Sequence, residues 1–113
     1  MSTESTGFNP HYEESAPTVE ELAALPGYTL LEFGAPWCGH CMAASAAVRE
    51  VMADYPQMPH IKIYDGKGKL LGRQFRVKLW PTLILLHAGQ EVARCVRPTT
   101  RDEVAPLLAQ QTE

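Results

Sequence analysis

The sequence predicts an α/β fold in which a central mixed β-sheet is flanked by helices on both faces. Three observations carry that expectation. Residues Tyr28 to Gly34 are apolar on both faces apart from Glu32, as in a central strand covered from each side. A helical pattern from Cys38 to about Tyr55 leads into a second strand pattern from Ile61 to Tyr64, so the two strands pair in parallel across a helical crossover. A hairpin and a last helix follow, which adds antiparallel strands and makes the sheet mixed.

Each element has its own signal. Met1 to about Ser15 is polar without a periodic apolar face, which predicts a flexible leader over 1–15 ahead of a single domain over 16–113. Thr18 and Glu21 have capping-box spacing, and Leu22 and Leu25 supply an apolar face for a short helix that Pro26-Gly27 stops. Met42, Ala46, Ala47 and Val51, among good helix formers such as Ala, Glu and Met, read as the next helix, and Pro56 and Pro59 end it. Asp65-Gly66-Lys67-Gly68 reads as a turn, and Leu70, Leu71 and Phe75 fit a short helix or a returning strand, the helix being preferred. Thr82 to His87, a turn at Ala88-Gly89 and Glu91 to Val96 form the hairpin. Thr100 and Glu103 make a second capping box, although Pro106 would kink the helix it opens unless that helix begins nearer Ala105.

Composition narrows the function classes. The 113 residues, 45% of them hydrophobic and 20% charged, are enough for one domain and too few for two. Ten Lys plus Arg against thirteen Asp plus Glu leave a net charge of -3, without the basic surplus that phosphate binding needs, so nucleic acid is not an expected partner. The acidic N-terminus lacks the basic start and apolar stretch of a secretory signal, which predicts a cytoplasmic protein. Apolar runs such as Leu83 to Leu86 are strand-sized, far below the roughly 20 residues of a membrane span. In a reducing compartment a close cysteine pair serves catalysis or metal binding more often than scaffolding.

Such a pair is present. Cys38-Gly39-His40-Cys41 stands where the apolar strand turns into a helix. Cysteines at i and i+3 share one helical face, near enough for a reversible disulfide. Cys38 falls at the helix start, where free amides and the positive end of the dipole favour a thiolate, so it is the expected nucleophile. Cys41 lies one turn inside and is the expected resolving thiol. Gly39 admits close approach of a partner backbone, and a protonated His40 would favour the dithiol and make the couple more oxidising. A zinc site is not expected: only Cys95 remains as a third thiol, and His60 and His87 lack supporting spacing.

The run Glu32-Phe33-Gly34-Ala35-Pro36-Trp37-Cys38-Gly39-His40-Cys41 resembles the active-site segment of the thioredoxin superfamily, and its Ala35 to Cys41 portion is most similar to the catalytic domains of protein disulfide isomerases. Trp80-Pro81-Thr82 resembles the cis-proline loop of the same superfamily, and the likeness covers roughly residues 18 to 110. The resemblance implies a thioredoxin-like fold, with Cys38 attacking a substrate disulfide and Cys41 resolving it. It implies a cis Pro81 facing the disulfide, and main-chain pairing of Trp80 with the substrate backbone, although most X–Pro bonds are trans. Trp37 would cover the disulfide edge or pack in the core. Glu32 would take the Cys41 proton through a water, its carboxyl raised by burial and drawn back by Lys62; a plain strand-pair salt bridge is the alternative.

Four positions depart from the superfamily pattern. Gly34 stands in place of an aromatic, Ala46 in place of a helix-kinking proline, Trp80 is bulky before the cis-proline, and Arg97 sits near a loop position that is commonly glycine. Together they suggest a narrower, more selective substrate surface, with Arg97 either recruiting an acidic partner or simply solvated. Cys95 reads as a small buried hydrophobe, the alternative being an exposed thiol open to oxidation or dimer formation, and His11, His60 and His87 are expected to lie at the surface or at strand ends without partners. The expected activity is protein-disulfide reduction by a thiol–disulfide oxidoreductase. It needs no bound cofactor beyond the Cys38–Cys41 disulfide, because the chain lacks a flavin or nicotinamide fingerprint. The expected partners are client proteins with disulfides and a thioredoxin reductase-like electron donor, and a monomer is expected. The alternatives are a disulfide oxidase or isomerase of an oxidising compartment, and a redox-sensitive binding or chaperone module.

Overall fold

The computed structural model describes residues 6–66 and 70–110. Lys67 and Gly68 of the expected turn, and residues 1–5 of the expected leader, lie outside the described residues. The elements follow in the order α1 (Val19–Ala23), β1 (Tyr28–Gly34), α2 (Gly39–Met52), β2 (His60–Tyr64), α3 (Leu70–Gln74), β3 (Thr82–His87), β4 (Gln90–Val96) and α4 (Arg101–Leu108). The strands form one mixed sheet in the order β2-β1-β3-β4. β1 pairs with β2 in parallel and with β3 antiparallel, and β3 pairs antiparallel with β4.

Register decides which residues share a face. Leu30 and Glu32 of β1 stand beside His60 and Lys62 of β2, and beside Leu85 and Leu83 of β3. This face packs under α2 and α4, where Leu30, Leu83 and Leu85 meet Val48, Val51, Met52, Val104 and Leu108. The alternate residues Leu31, Phe33, Ile63, Ile84 and Leu86 form the other face, covered by Leu22 of α1 and Leu71 of α3. Each fully buried leucine contributes about 2 kcal/mol of transfer free energy. The period-two pattern therefore places Glu32, the acid of an otherwise apolar strand, directly beneath α2.

Helix boundaries follow local chemistry. Thr18 and Glu21 exchange both hydrogen bonds of a capping box at α1. The chain reverses between β3 and β4 at Gly89, whose φ of 84° and approach to Ala23 leave no room for a side chain, since a Cβ there would meet the Ala23 Cα at 2.5 Å. Pro106 does not delay or end the last helix. α4 starts at Arg101 after Thr100 and continues through the proline, because burial of Val104, Leu107 and Leu108 outweighs the one backbone bond that proline forfeits.

The loose-leader expectation is corrected for residues 7–13. Gly7 N–H donates to the Met58 carbonyl at 2.7 Å, Glu13 N–H to that of Lys62 at 2.8 Å, and Tyr64 N–H to that of Glu13 at 2.8 Å. Glu13 bridges Ile63 in parallel. β2 is otherwise the outer strand, so its unpaired main-chain groups recruit this segment. Phe8 adds apolar contact with the α2 side of the core, beneath the Arg49 guanidinium at 4.8 Å.

Candidate active site

α2 begins at the cysteine pair. Cys38 is its N-cap, and its sulfur accepts the Cys41 amide hydrogen at 3.2 Å, at the positive end of the helix. Both thiols are free, with Cys38 8% exposed and Cys41 3%. Burial first, and then the hydrogen bond with Cys38, push the Cys41 thiol up to about 11. Gly39 and His40 are exposed on the first turn. One sulfur is thus at the rim and the other beneath it, the arrangement a nucleophile and a resolving thiol require.

The rim is aromatic. Trp37 is 64% exposed, which excludes the core-packing alternative; its ring stands edge-on to Trp80 at 5.5 Å. Its indole N–H donates to the Tyr64 hydroxyl at 3.4 Å, and that of Trp80 donates to Asp65 Oδ2 at 3.0 Å. The Trp80–Pro81 peptide is cis, and Pro81 is buried. Arg97 has a left-handed backbone, φ 53°, and its Nε donates to the Trp80 carbonyl at 2.8 Å. It is therefore not simply a solvated side chain. It holds the carbonyl of Trp80, whose main chain is expected to pair with a substrate backbone. Trp37, Cys38, His40, Lys78, Trp80 and Arg97 line an open groove of about 420 Å³ over the pair.

Behind the cysteines the expected Glu32–Lys62 salt bridge is replaced by a different set of contacts. Glu32 Oε1 lies 2.8 Å from His60 Nε2, and Oε2 accepts from the Tyr12 hydroxyl at 2.6 Å. His60 Nδ1 accepts the Asn9 amide hydrogen at 2.9 Å, so Nε2 carries the ring proton and donates to Glu32. Lys62 keeps its place beside Glu32 in register, but its ammonium sits over the Tyr12 ring at 4.2 Å and acts on the acid through space. Burial alone raises the Glu32 carboxyl, as expected, but His60, Lys62 and Tyr12 together more than offset it and hold the group below its ordinary value. Burial lowers Lys62 in turn, partly offset by Glu32 and Cys41.

Tyr12 and His60 are functional candidates that sequence reasoning missed. Tyr12 was assigned to the leader, and His60 to a strand end without partners; both are in contact with Glu32. Gly34 was the available signal. A Cβ on it would lie 2.5 Å from the Cys41 sulfur and 2.8 Å from the Tyr12 hydroxyl, so the space beside Gly34 is filled in part from the N-terminal segment. Tyr12 packs with Tyr64 and Trp80 around Ala35, Cys38 and Cys41.

The remaining candidates stand apart. Cys95 is half-buried against the α2 side of the core, 3.5 Å from the Glu103 carbonyl, and burial, then Glu103, raise its thiol. His87 is exposed but stacks on Tyr28 at 4.5 Å, and so has a partner. His11 is exposed. Among the described residues no group of three or more His, Cys, Asp or Glu is placed to hold a metal ion, and no helix is long and apolar enough to cross a membrane.

The chain is 30% identical over 83 residues to a thioredoxin of Chlamydia trachomatis, a match covering 74% of this chain and 81% of that protein. It is 39% identical over 67 residues to protein disulfide-isomerase A4 of Bos taurus, which covers 56% of this chain and 10% of the longer protein. The reduced form of thioredoxin 2 from Pseudomonas aeruginosa superposes with a TM-score of 0.79 at 48% identity, over 88% of this chain and 92% of that one. The thioredoxin family model matches residues 9–110, a span that takes in Tyr12 and Glu13 of the docked N-terminal segment, both Cys38 and Cys41, and the cis-proline. On that match, and on the likeness to these thioredoxins, the chain belongs to the thioredoxin family of thiol–disulfide oxidoreductases.

Proposed function

We propose that the protein reduces disulfides of client proteins by dithiol–disulfide exchange, as a cytoplasmic monomer re-reduced by a thioredoxin reductase-like donor. The observation that carries the reading is the unequal placing of two free thiols on one helix turn, Cys38 at the rim of the groove and Cys41 beneath it. Cys38 sulfur attacks one sulfur of the client disulfide, the client S–S bond breaks, and one client thiolate leaves. Cys41 then loses its proton and attacks the Cys38 sulfur of the mixed disulfide. The Cys38–Cys41 bond forms, the second client thiolate departs, and two electrons have passed to the client. The donor's dithiol restores both cysteines, so no bound cofactor is needed.

The groove provides for substrate. Trp37 offers exposed aromatic surface at the rim of the groove beside the half-buried Trp80, and Gly39 leaves the helix start open to an approaching backbone. Glu32, buried and hydrogen-bonded to Tyr12, serves as the acceptor of the Cys41 proton.

The test is turnover of a protein disulfide with reductase supplied, together with the Cys38–Cys41 potential by glutathione titration. The wild type should turn over with a potential below the cytosolic glutathione poise, Cys38→Ser should be inactive, and Cys41→Ser should accumulate a mixed disulfide on a non-reducing gel. A potential well above that poise makes the protein an oxidase or isomerase. Client affinity without turnover, unaffected by either serine, makes it a binding module.

A further inference from the structure

We propose that the Tyr12 hydroxyl relays the Cys41 proton to Glu32, so that the docked N-terminal segment contributes a catalytic residue. The inference rests on the dithiol exchange proposed above and concerns its second step. Tyr12 donates to Glu32 Oε2 at 2.6 Å, a short charge-assisted bond. The Tyr12 hydroxyl oxygen and the Cys41 sulfur also share the space that a Gly34 side chain would fill, 2.8 Å and 2.5 Å from where its Cβ would stand, and Tyr12 packs against the buried Cys41. Acid, hydroxyl and thiol therefore stand next to one another, brought together from β1, the N-terminal segment and the first turn of α2.

The step balances without an added reagent. Cys41 S–H passes its proton to Tyr12 Oη while Tyr12 O–H passes its own to Glu32 Oε2. The Cys41 sulfur bonds to the Cys38 sulfur, the bond from Cys38 to the client breaks, and the client leaves as a thiolate that takes a proton from water. Tyr12 is neutral before and after. Burial first, and then Glu32, keep its phenol well above the ordinary range, so it relays a proton without resting as a phenolate. Because Glu32 is the weaker base, proton transfer accompanies sulfur–sulfur bond formation.

The surroundings bear on the protonation states. His60 and Lys62 face the acid from β2, Cys38 faces Cys41 from the same helix, and Arg49 acts on Lys62. A cleft of about 230 Å³, lined by His11, Tyr12, Cys41, Ser45 and Lys62 among others, borders the same residues and makes water the competing carrier. Tyr12→Phe separates the two routes, since it removes only the hydroxyl.

The experiment is rapid-mixing measurement of both exchange steps with the full chain and a peptide disulfide, from pH 5 to 9. Tyr12→Phe should leave the Cys38 attack unchanged and slow client release about tenfold or more at neutral pH, with the deficit shrinking as alkali ionises Cys41 directly. Glu32→Gln should slow the same step and spare the first. Equal release rates and pH profiles for wild type and Tyr12→Phe would overturn the relay, and slowing by Glu32→Gln alone would assign the proton to water. A wild type that forms no mixed disulfide would instead sink the exchange reading itself, so the two failures are told apart.

Discussion

His60→Leu isolates the contacts that hold Glu32. The His60 side chain is fully buried, its two nitrogens engaged by Glu32 at 2.8 Å and by the Asn9 amide at 2.9 Å. Leucine fills similar space but removes both contacts, leaving Glu32 Oε1 without its donor and the Asn9 amide without its acceptor. A hydrogen bond to a charged group is worth about 2 kcal/mol, and the orphaned amide costs about 1–2 kcal/mol more, so the expected loss is about 3 kcal/mol at neutral pH. For a chain of this size that corresponds to a fall in Tm of about 12 °C. The Glu32 carboxyl is lowered in the folded wild type, so its stabilisation is fully present above the ordinary carboxylate range and is lost as pH falls through the lowered value. The variant lacks most of this hold. The gap between the two proteins should be widest at neutral pH and narrow towards acid. Urea unfolding at several pH values measures it, and a cycle with Glu32→Gln should show coupling of about 1–2 kcal/mol. A loss under about 1 kcal/mol at neutral pH, or strictly additive single effects, would refute the reasoning.

Two further substitutions probe the site. Gly34→Ala should cost about 1–3 kcal/mol in urea unfolding by pressing on the Cys41 sulfur and the Tyr12 hydroxyl; an unchanged midpoint would mean that both side chains yield freely. Arg97→Gly relieves a left-handed backbone and frees the Trp80 carbonyl, so stability should change by no more than about 1 kcal/mol. KM for a peptide disulfide should then fall about two- to tenfold, the worth of one hydrogen bond. An unaltered KM would show that Arg97 does not occupy the peptide's place.

What the sequence reveals here depends on range. The cysteine pair and its helix are local: an i, i+3 spacing after an apolar strand specifies both, and the structure puts Cys38 at the N-cap. The buried position of Glu32 is equally plain, since an acid within a run of apolar residues has no solvent face. Its partners are not plain. His60 lies 28 residues away and Tyr12 20, and neither carries a spacing rule that ties it to Glu32. The N-terminal segment was misread because polarity was taken as looseness. Its main-chain groups satisfy those of β2 whatever its side chains, and Phe8 and Tyr12 are the only apolar hints. Pro106 misleads for the opposite reason: a strong local rule yields to Val104, Leu107 and Leu108, which meet the core only in three dimensions.

An open sheet is exposed to aggregation along its outer strands, where unpaired amides and carbonyls can template another chain. Here the two margins are guarded by different means. On the β2 side, residues 7–13 cap the hydrogen-bonding groups, so the stretch that brings Tyr12 to the acid also closes that margin to intruding strands. On the β4 side, an irregularity opposite Leu85 and Leu86 breaks the register, and the Glu91–Arg94 pair places charge among the exposed Val92 and Val96. Trimming the N-terminal segment would therefore remove Tyr12 and bare a sticky flank in a single cut, coupling loss of chemistry to loss of solubility.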